Sequence, residues 1–375
     1  MLERLRLLEI ADVRWWNAGA QYAVSLSGAL RARGHEVVVA GMPGSPPLEA
    51  CEKEGISTAP IPGLDGSDPV RFPSAALSLR RLIARGGFDL VNAHRGGGHL
   101  AAALAVRGAG RRIPLVRTRG DIRSPRRGPF ARALYARWTD RVIVSGDFMR
   151  RDYAPLGVEG SRITTIHGGV DLERFRPSSA RAASRRALGL SEEAAVAGIV
   201  ARLSPVKGHA DVLEAAAIVL SELPGARFVV AGAEQQIRWS DLDALARRLG
   251  IAGSVQYLGG IDDVRRVLAA LDVGVVASRG SEAICRIGME YLASGVPVVA
   301  TRAGVLPEII EEDVSGHLVP PEDPRALAAA MRRVLADRTG ARRLGEGARR
   351  CAEARLGLER FAAATEEVYR EALRA

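Results

Sequence analysis

The stretch "VGVVASRGSEAICRIGMEYLASGVPVVAT" (residues 273–301) reads as strand, loop, helix, strand. "VGVVAS" (273–278) and "PVVAT" (297–301) are short valine-rich runs, the composition of strands covered on both faces. Between them, "ICRIGMEYLASG" (284–295) reads as a helix closed by Gly295. Glu290 would then fall about two turns in. Two strands joined by a helical crossover lie parallel in one sheet. Two glutamates, Glu282 and Glu290, stand in this mostly apolar unit. Buried carboxylates are costly unless paired or put to use.

The same alternation runs outward in both directions. In the first half, strand-like runs fall at 6–13, 36–42, 89–94, 114–120, 141–146 and 162–170, with helical patterns such as "GAQYAVSLSGALRARG" (19–34) between them. Residues 171–190 are polar, carry "RPSS", and read as a linker ending in a short helix. The alternation restarts with runs at 194–203, 226–232, 254–260, 273–278, 297–304 and 316–321. From "DPRALAAAMRRVLADR" onward the chain is helical only. This is an α/β pattern with two parallel sheets. It predicts two Rossmann-like, doubly wound domains, residues 1–178 and 179–357, facing across a cleft. Ligands of such sheets bind at the carboxyl ends of the strands.

The chain has 375 residues, room for two ordinary domains. No apolar run approaches a membrane span, and "MLERLRLLEIADV" lacks the apolar core and cleavage site of a secretory signal. Cys51, Cys285 and Cys351 are scattered and odd in number, which predicts reduced thiols and a cytoplasmic setting. Residues 1–178 carry 27 basic and 17 acidic residues; the remainder carries 26 of each, so the whole net charge of +10 lies in the first half. It is densest at "RRIPLVRTRGDIRSPRR" (111–127). An anionic membrane face, an acidic substrate or nucleic acid would suit this field, as would a plain solvated surface. Two lysines occur in the whole chain, Lys53 and Lys207. In so arginine-biased a sequence, a surviving lysine hints at a specific role.

Lys207 lies in "GIVARLSPVKGHADVLEAAAIV" (198–219). A strand ends near Arg202, a loop follows, and Lys207-Gly208 precedes a helix. Two cations beside a helix N-terminus suit a diphosphate; an ordinary surface loop is the competing reading. Glu282 sits after a strand end, and with Glu290 it could hydrogen-bond sugar hydroxyls. Taken alone, the pair reads equally as one charge at a helix start and one half-exposed helix residue. "WWN" (15–17) places two tryptophans in the first strand–helix loop, for stacking on a sugar, for lipid headgroups or for packing. Asp241-x-Asp243 is superficially a metal motif, but it falls on a predicted exposed helix, and no metal site is expected.

In concert, "E-x7-E" (Glu282, Glu290) followed by "ASGVPVVAT", "ARLSPVKG" before it, and "HGGVDLERFRP" earlier still resemble glycosyltransferase family 4. This is the family of retaining, nucleotide-sugar-dependent, GT-B enzymes, and the resemblance spans nearly the whole chain. It implies that "GLERFAAATEEVYREAL" is a last helix, within 358–375, crossing back to the N-terminal domain. It implies that Arg202 and Lys207 bind the donor diphosphate and stabilise the leaving group. Glu290 would hold the ribose hydroxyls and Glu282 the hydroxyls of the transferred sugar. The backbone of Ile284, Cys285 and Arg286 would line the donor. Gly19, in "NAGAQ", would admit a phosphate or the acceptor, and His94 would stand by the cleft, although a capped strand-end histidine explains it equally. No metal and no cofactor is implied beyond the nucleotide sugar.

The sequence also departs from the family. "AICR" replaces a small, glycine-rich segment, and Arg286 adds a cation there. "AGAEQ" replaces a G-x-G. Gly120 in "VRTRGD" stands where many members have the histidine of Thr-x-His, with Asp121 beside it. Asp121 is therefore expected to take part in acceptor or sugar binding. The resulting expectation is a hexosyltransferase, cytoplasmic or peripheral at the inner membrane face, using a nucleoside-diphosphate sugar. Its acceptor would be an envelope glycolipid or polysaccharide, the lipopolysaccharide core above all, and no nucleic-acid partner is expected. A soluble acceptor and a GT-B nucleotide-sugar epimerase are the alternatives. A dinucleotide-dependent oxidoreductase would need G-x-G-x-x-G, of which "NAGAQYAV" has one glycine.

Overall fold

In the computed structural model, residues 4–280 and 282–375 are described; the charged start at Met1–Glu3 and Ser281 of the two-glutamate motif lie outside them. The alternating runs form two all-parallel sheets. The first holds β1 (Arg6–Ala11), β2 (Glu36–Gly41), β3 (Ser57–Pro60), β4 (Leu90–Ala93), β5 (Leu115–Arg119), β6 (Arg141–Val144) and β7 (Ile163–Thr165), in the order β3-β2-β1-β4-β5-β6-β7. The second holds β8 (Val196–Val200), β9 (Arg227–Ala231), β10 (Val255–Tyr257), β11 (Val273–Val276), β12 (Val298–Thr301) and β13 (Gly316–Val319), in the order β10-β9-β8-β11-β12-β13.

Central strands such as β4 and β11 are buried along their whole length, as continuous apolar runs require. β3 was not read from the sequence. "STAP" is four residues long and incompletely buried, and Pro60 lacks an N–H for further pairing, which marks an edge strand. In each sheet the winding direction reverses once, between β1 and β4 and between β8 and β11. At such a switch point the connections from two neighbouring strands run to opposite faces of the sheet, and ligands bind in the crevice outside the strands' carboxyl ends.

The chain divides into two compact units, Met1–Gly169 with Leu358–Ala375, and Val170–Gly357. The boundary therefore falls ahead of the expected 178, because the segment after Gly169 is bonded into the second unit. Val170 N donates to Leu356 O at 2.7 Å, and the Arg349 guanidinium donates to Leu172 O and Phe175 O. The stretch read as a linker is likewise anchored. Arg185, on the helix Arg181–Ala187, is fully buried and pairs with Asp272 at 2.7 Å.

The helix Leu358–Arg374 belongs to the first unit. It packs on the helix Ala18–Ala32, where Tyr22 meets Phe361 edge-on, and Arg33 pairs with Glu359 and Glu366. No helix among the described residues is long and apolar enough to cross a membrane. The free thiols Cys51, Cys285 and Cys351 are all buried.

Candidate active site

In the second unit the loops leaving β8 and β11 meet at the switch point. Pro205–Lys207 form one 3-10 turn, and Gly208 follows at φ 69. A Cβ on Gly208 would lie 2.1 Å from Ala277 O, so only glycine lets this loop close on β11. The loop is also tied down by Arg279, whose backbone N–H reaches Val206 O at 2.9 Å and whose guanidinium grips Asp211 through both oxygens at 2.6 and 2.9 Å. The outcome is one ion pair: Lys207 Nζ donates to Glu282 Oε1, and Ser278 Oγ donates to the same oxygen. The Glu282 side chain is 6% exposed and that of Lys207 19%.

The backbone of Glu282 is held from the other side. Val305 N donates to Glu282 O at 2.8 Å, and Thr301 Oγ1 donates to Ser278 O at 2.6 Å. Gly304 has φ 55, and a Cβ there would lie 1.8 Å from Glu282 O. The segments that follow β11 and β12 thus hold the Glu282 main chain in place.

The helix expected over 284–295 begins later, at Arg286. Cys285 adopts φ 50 and ψ 62, the left-handed region that L-residues other than glycine rarely enter, so Ala283 and Ile284 form a bend and the first helical turn starts only after Cys285. Glu290 consequently sits about one turn in, not two. It is buried, and Arg286 Nε donates to its Oε1 at 2.6 Å. Burial pushes the Glu290 carboxyl above its ordinary range, opposed by Arg286 and by the charge of Arg174. Burial, with Glu282 adding to it, raises the Cys285 thiol well above its usual value, which disfavours the thiolate. His209, next to Gly208, is pulled down to about 4 by burial. Arg202 lies beyond the end of β8, exposed, with no side-chain hydrogen bond or ion pair among the described residues.

The remaining predicted residues belong to the first unit. Gly19 lies in the first turn of the helix Ala18–Ala32 without a positive φ. Asn17 caps that helix, its Oδ1 accepting from Ala20 N at 2.9 Å, so "NAGAQ" is a capped helix start and not a glycine loop. His94 is 6% exposed, and its Nε2 faces Glu9 Oε2 at 2.7 Å. Glu9, fully buried in β1, also accepts from Asn92 Nδ2 at 2.8 Å and from Tyr369 Oη at 2.6 Å. Asp121 is half-exposed, 3.8 Å from Arg117, and caps its own turn by accepting from Arg123 N. Within the dense basic stretch, Arg117 and Arg119 are buried, and Arg119 pairs with Asp152 at 2.8 Å. Arg123, Arg126 and Arg127 are exposed.

Sequence reasoning missed Ser278, Arg279, Asp211, Gly304 and Glu9. Ser278 and Gly304 end strand-like runs, a position that could have drawn notice; the others are signalled only by contact. Asp241 and Asp243 lie on the helix Trp239–Arg248, Asp243 paired with Arg247 at 2.8 Å. Glu312, Asp313 and His317 bring ligand-type atoms together, but Arg302 and Arg333 already pair with the two carboxylates and compete with any cation.

Residues 180–351 match the family described as Glycosyl transferases group 1, and residues 19–174 match Glycosyltransferase Family 4. A D-inositol 3-phosphate glycosyltransferase 2 of Catenulispora acidiphila is 33% identical over 339 residues, 84% of this chain and 77% of that protein. A D-inositol 3-phosphate glycosyltransferase of Streptomyces bingchenggensis is 32% identical over 316 residues, 77% of this chain and 68% of that one. The crystal structure of Anabaena Alr3699/HepE in complex with UDP superposes with a TM-score of 0.86 at 22% identity, covering 98% of this chain and 100% of that one. WaaG, a glycosyltransferase involved in lipopolysaccharide biosynthesis, superposes with a TM-score of 0.71 at 17% identity, covering 96% and 99%.

Proposed function

This chain belongs to glycosyltransferase family 4, a GT-B glycosyltransferase, and from that premise we propose that it is a retaining enzyme moving a hexose-like sugar from a nucleoside diphosphate to an anionic envelope glycolipid, such as lipopolysaccharide core. The observation that carries the donor half is the meeting of Lys207, Ser278 and Glu282 at the β8/β11 switch point, with Glu290 about one turn into the helix that follows. Arg202 and Lys207 take the diphosphate and stabilise the charge that builds on it as the glycosidic bond breaks. Glu282 accepts hydrogen bonds from the sugar, and Glu290 from the ribose diol. With two cations on the diphosphate, the reaction needs no metal. Retention follows if the acceptor hydroxyl attacks on the face from which the diphosphate leaves, with a phosphate oxygen taking its proton. Asp121 contacts the acceptor.

A thermal-shift series with UDP-, GDP- and ADP-sugars tests the donor half, because a bound donor raises the melting temperature by mass action. We expect one of them to stabilise the wild type and to lose its effect in Lys207→Ala. No shift with any donor would overturn the reading. Transfer unaffected by EDTA is expected, as is a loss of turnover in Asp121→Ala.

The acceptor half rests on the first unit, which carries 28 basic against 19 acidic residues. It also exposes Trp15, Trp16, Ile122 and Phe130, the last two flanking Arg123, Arg126 and Arg127. Exposed aromatics among arginines suit an anionic lipid surface. Co-sedimentation with phosphatidylglycerol vesicles that disappears in high salt, and is absent with phosphatidylcholine alone, is the expected result. A second reading, a soluble phosphorylated polyol acceptor, is favoured by the names of the relatives at 32–33% identity. Transfer to inositol 3-phosphate without vesicle binding would select it.

A further inference from the structure

The helix Arg286–Ala293 begins with a residue that helix stability does not favour. Arg286 is its first residue, directly after the left-handed Cys285. A cation there faces the positive end of the helix dipole. The order Arg then Glu at i,i+4 is also the weaker orientation for such a pair. Nevertheless Arg286 Nε donates to Glu290 Oε1 at 2.6 Å.

The pair is asymmetric. The Glu290 side chain is 4% exposed and that of Arg286 42%. Ordinary i,i+4 pairs lie on solvated faces and organise little. Here the carboxylate end lies inside the protein, where burial disfavours its charge. A carboxylate that must accept two hydroxyl hydrogens needs to be ionised and fixed in orientation. Arg286 supplies both, since a guanidinium N–H directs one carboxylate oxygen and leaves the other to accept. The bend at Cys285 sets where the Arg286 stem starts, and so where its Nε reaches.

We propose that Arg286 is a positioning residue for Glu290, holding it as an oriented carboxylate so that the site discriminates ribose from 2′-deoxyribose in the donor nucleotide. The proposal rests on the reading of Glu290 as the ribose clamp. It assigns Arg286 a role exerted through another side chain, not direct contact with the diphosphate.

Calorimetric titration of the full chain with UDP, GDP and ADP and their 2′-deoxy counterparts tests it, in the wild type and in Arg286→Leu, Arg286→Lys and Glu290→Gln. For the tightest nucleotide, the wild type should prefer the ribose form by about tenfold or more, the size of one hydrogen bond to a charged group. Arg286→Leu should reduce that ratio to below about threefold, and Arg286→Lys, which keeps a donor and a charge, should restore most of it. Thermal unfolding of each variant shows whether it is folded; Arg286→Lys keeps the test open should the leucine variant fail. If Arg286→Leu weakens both nucleotide forms equally and leaves the ratio intact, or if Arg286→Lys loses the ratio, Arg286 does not act by orienting Glu290 and the proposal falls. In that case a ratio lost in Glu290→Gln leaves the clamp reading standing. A ratio unchanged in Glu290→Gln, or a wild type that does not discriminate, overturns the clamp and this proposal together.

Discussion

Lys207 and Glu282 are joined by an ion pair although 75 residues separate them in the chain, and Ser278 donates to the same carboxylate oxygen. Removing the lysine leaves a largely buried carboxylate without its cation, which costs about 3 kcal/mol. Lys207→Ala should therefore be clearly less stable than wild type in urea unfolding. Adding Glu282→Gln should recover part of the loss, because the stranded charge is then gone. Equal stability of Lys207→Ala and wild type would mean the pair does not persist in solution. Turnover of Lys207→Ala should fall by about 100-fold, the scale on which a charge-stabilising donor acts.

Cys285 holds a left-handed backbone between the two glutamates. A non-glycine residue there carries about 1–2 kcal/mol of strain. Cys285→Gly relieves it at the loss of a small buried side chain, so thermal unfolding should show stability unchanged or raised by up to about 1 kcal/mol. Cys285→Val, β-branched at positive φ, should lose about 2 kcal/mol or more. Valine ranking above cysteine would contradict the conformation.

Tyr369 Oη donates to Glu9 Oε1 at 2.6 Å and accepts from Asn92 Nδ2 at 2.7 Å, linking the last helix to β1 and β4. Tyr369→Phe removes a donor to a fully buried carboxylate and should lower stability by about 1–3 kcal/mol. Hydrogen exchange should then show faster opening of the helix Leu358–Arg374. Unchanged exchange there would show that the network does not anchor the helix.

His209 is held near 4, below its ordinary 6.5, because burial disfavours the imidazolium. As pH falls, the unfolded chain binds the proton first. The stability due to this group is thus complete above about pH 6.5 and is lost as pH falls towards 4, by about 3 kcal/mol in all. His209→Gln should flatten the fall of the melting temperature over that window. A slope identical to wild type would remove His209 from the account.

Much of the fold was legible because parallel strands covered on both faces are continuous apolar runs, as in "VGVVAS" and "PVVAT". β3 was not, since a short edge strand buries too little to leave such a run. The candidate site residues Arg202, Lys207, Glu282 and Glu290 were legible as a motif. Their partners were not. Nothing in the sequence pairs Arg279 with Asp211, or Glu9 with His94 and Tyr369.

The sequence by itself therefore determined the alternation of strands and helices and the surplus of positive charge in the first half. These follow from local composition and periodicity. Tertiary structure alone decided that Lys207 and Glu282 share one ion pair, that the helix starts at Arg286 after a left-handed Cys285, and that Arg117 and Arg119 are buried. Each of these depends on distant segments meeting. The parallel sheet sets which loops meet at its switch point, and the desolvation that follows decides which charged groups must pair.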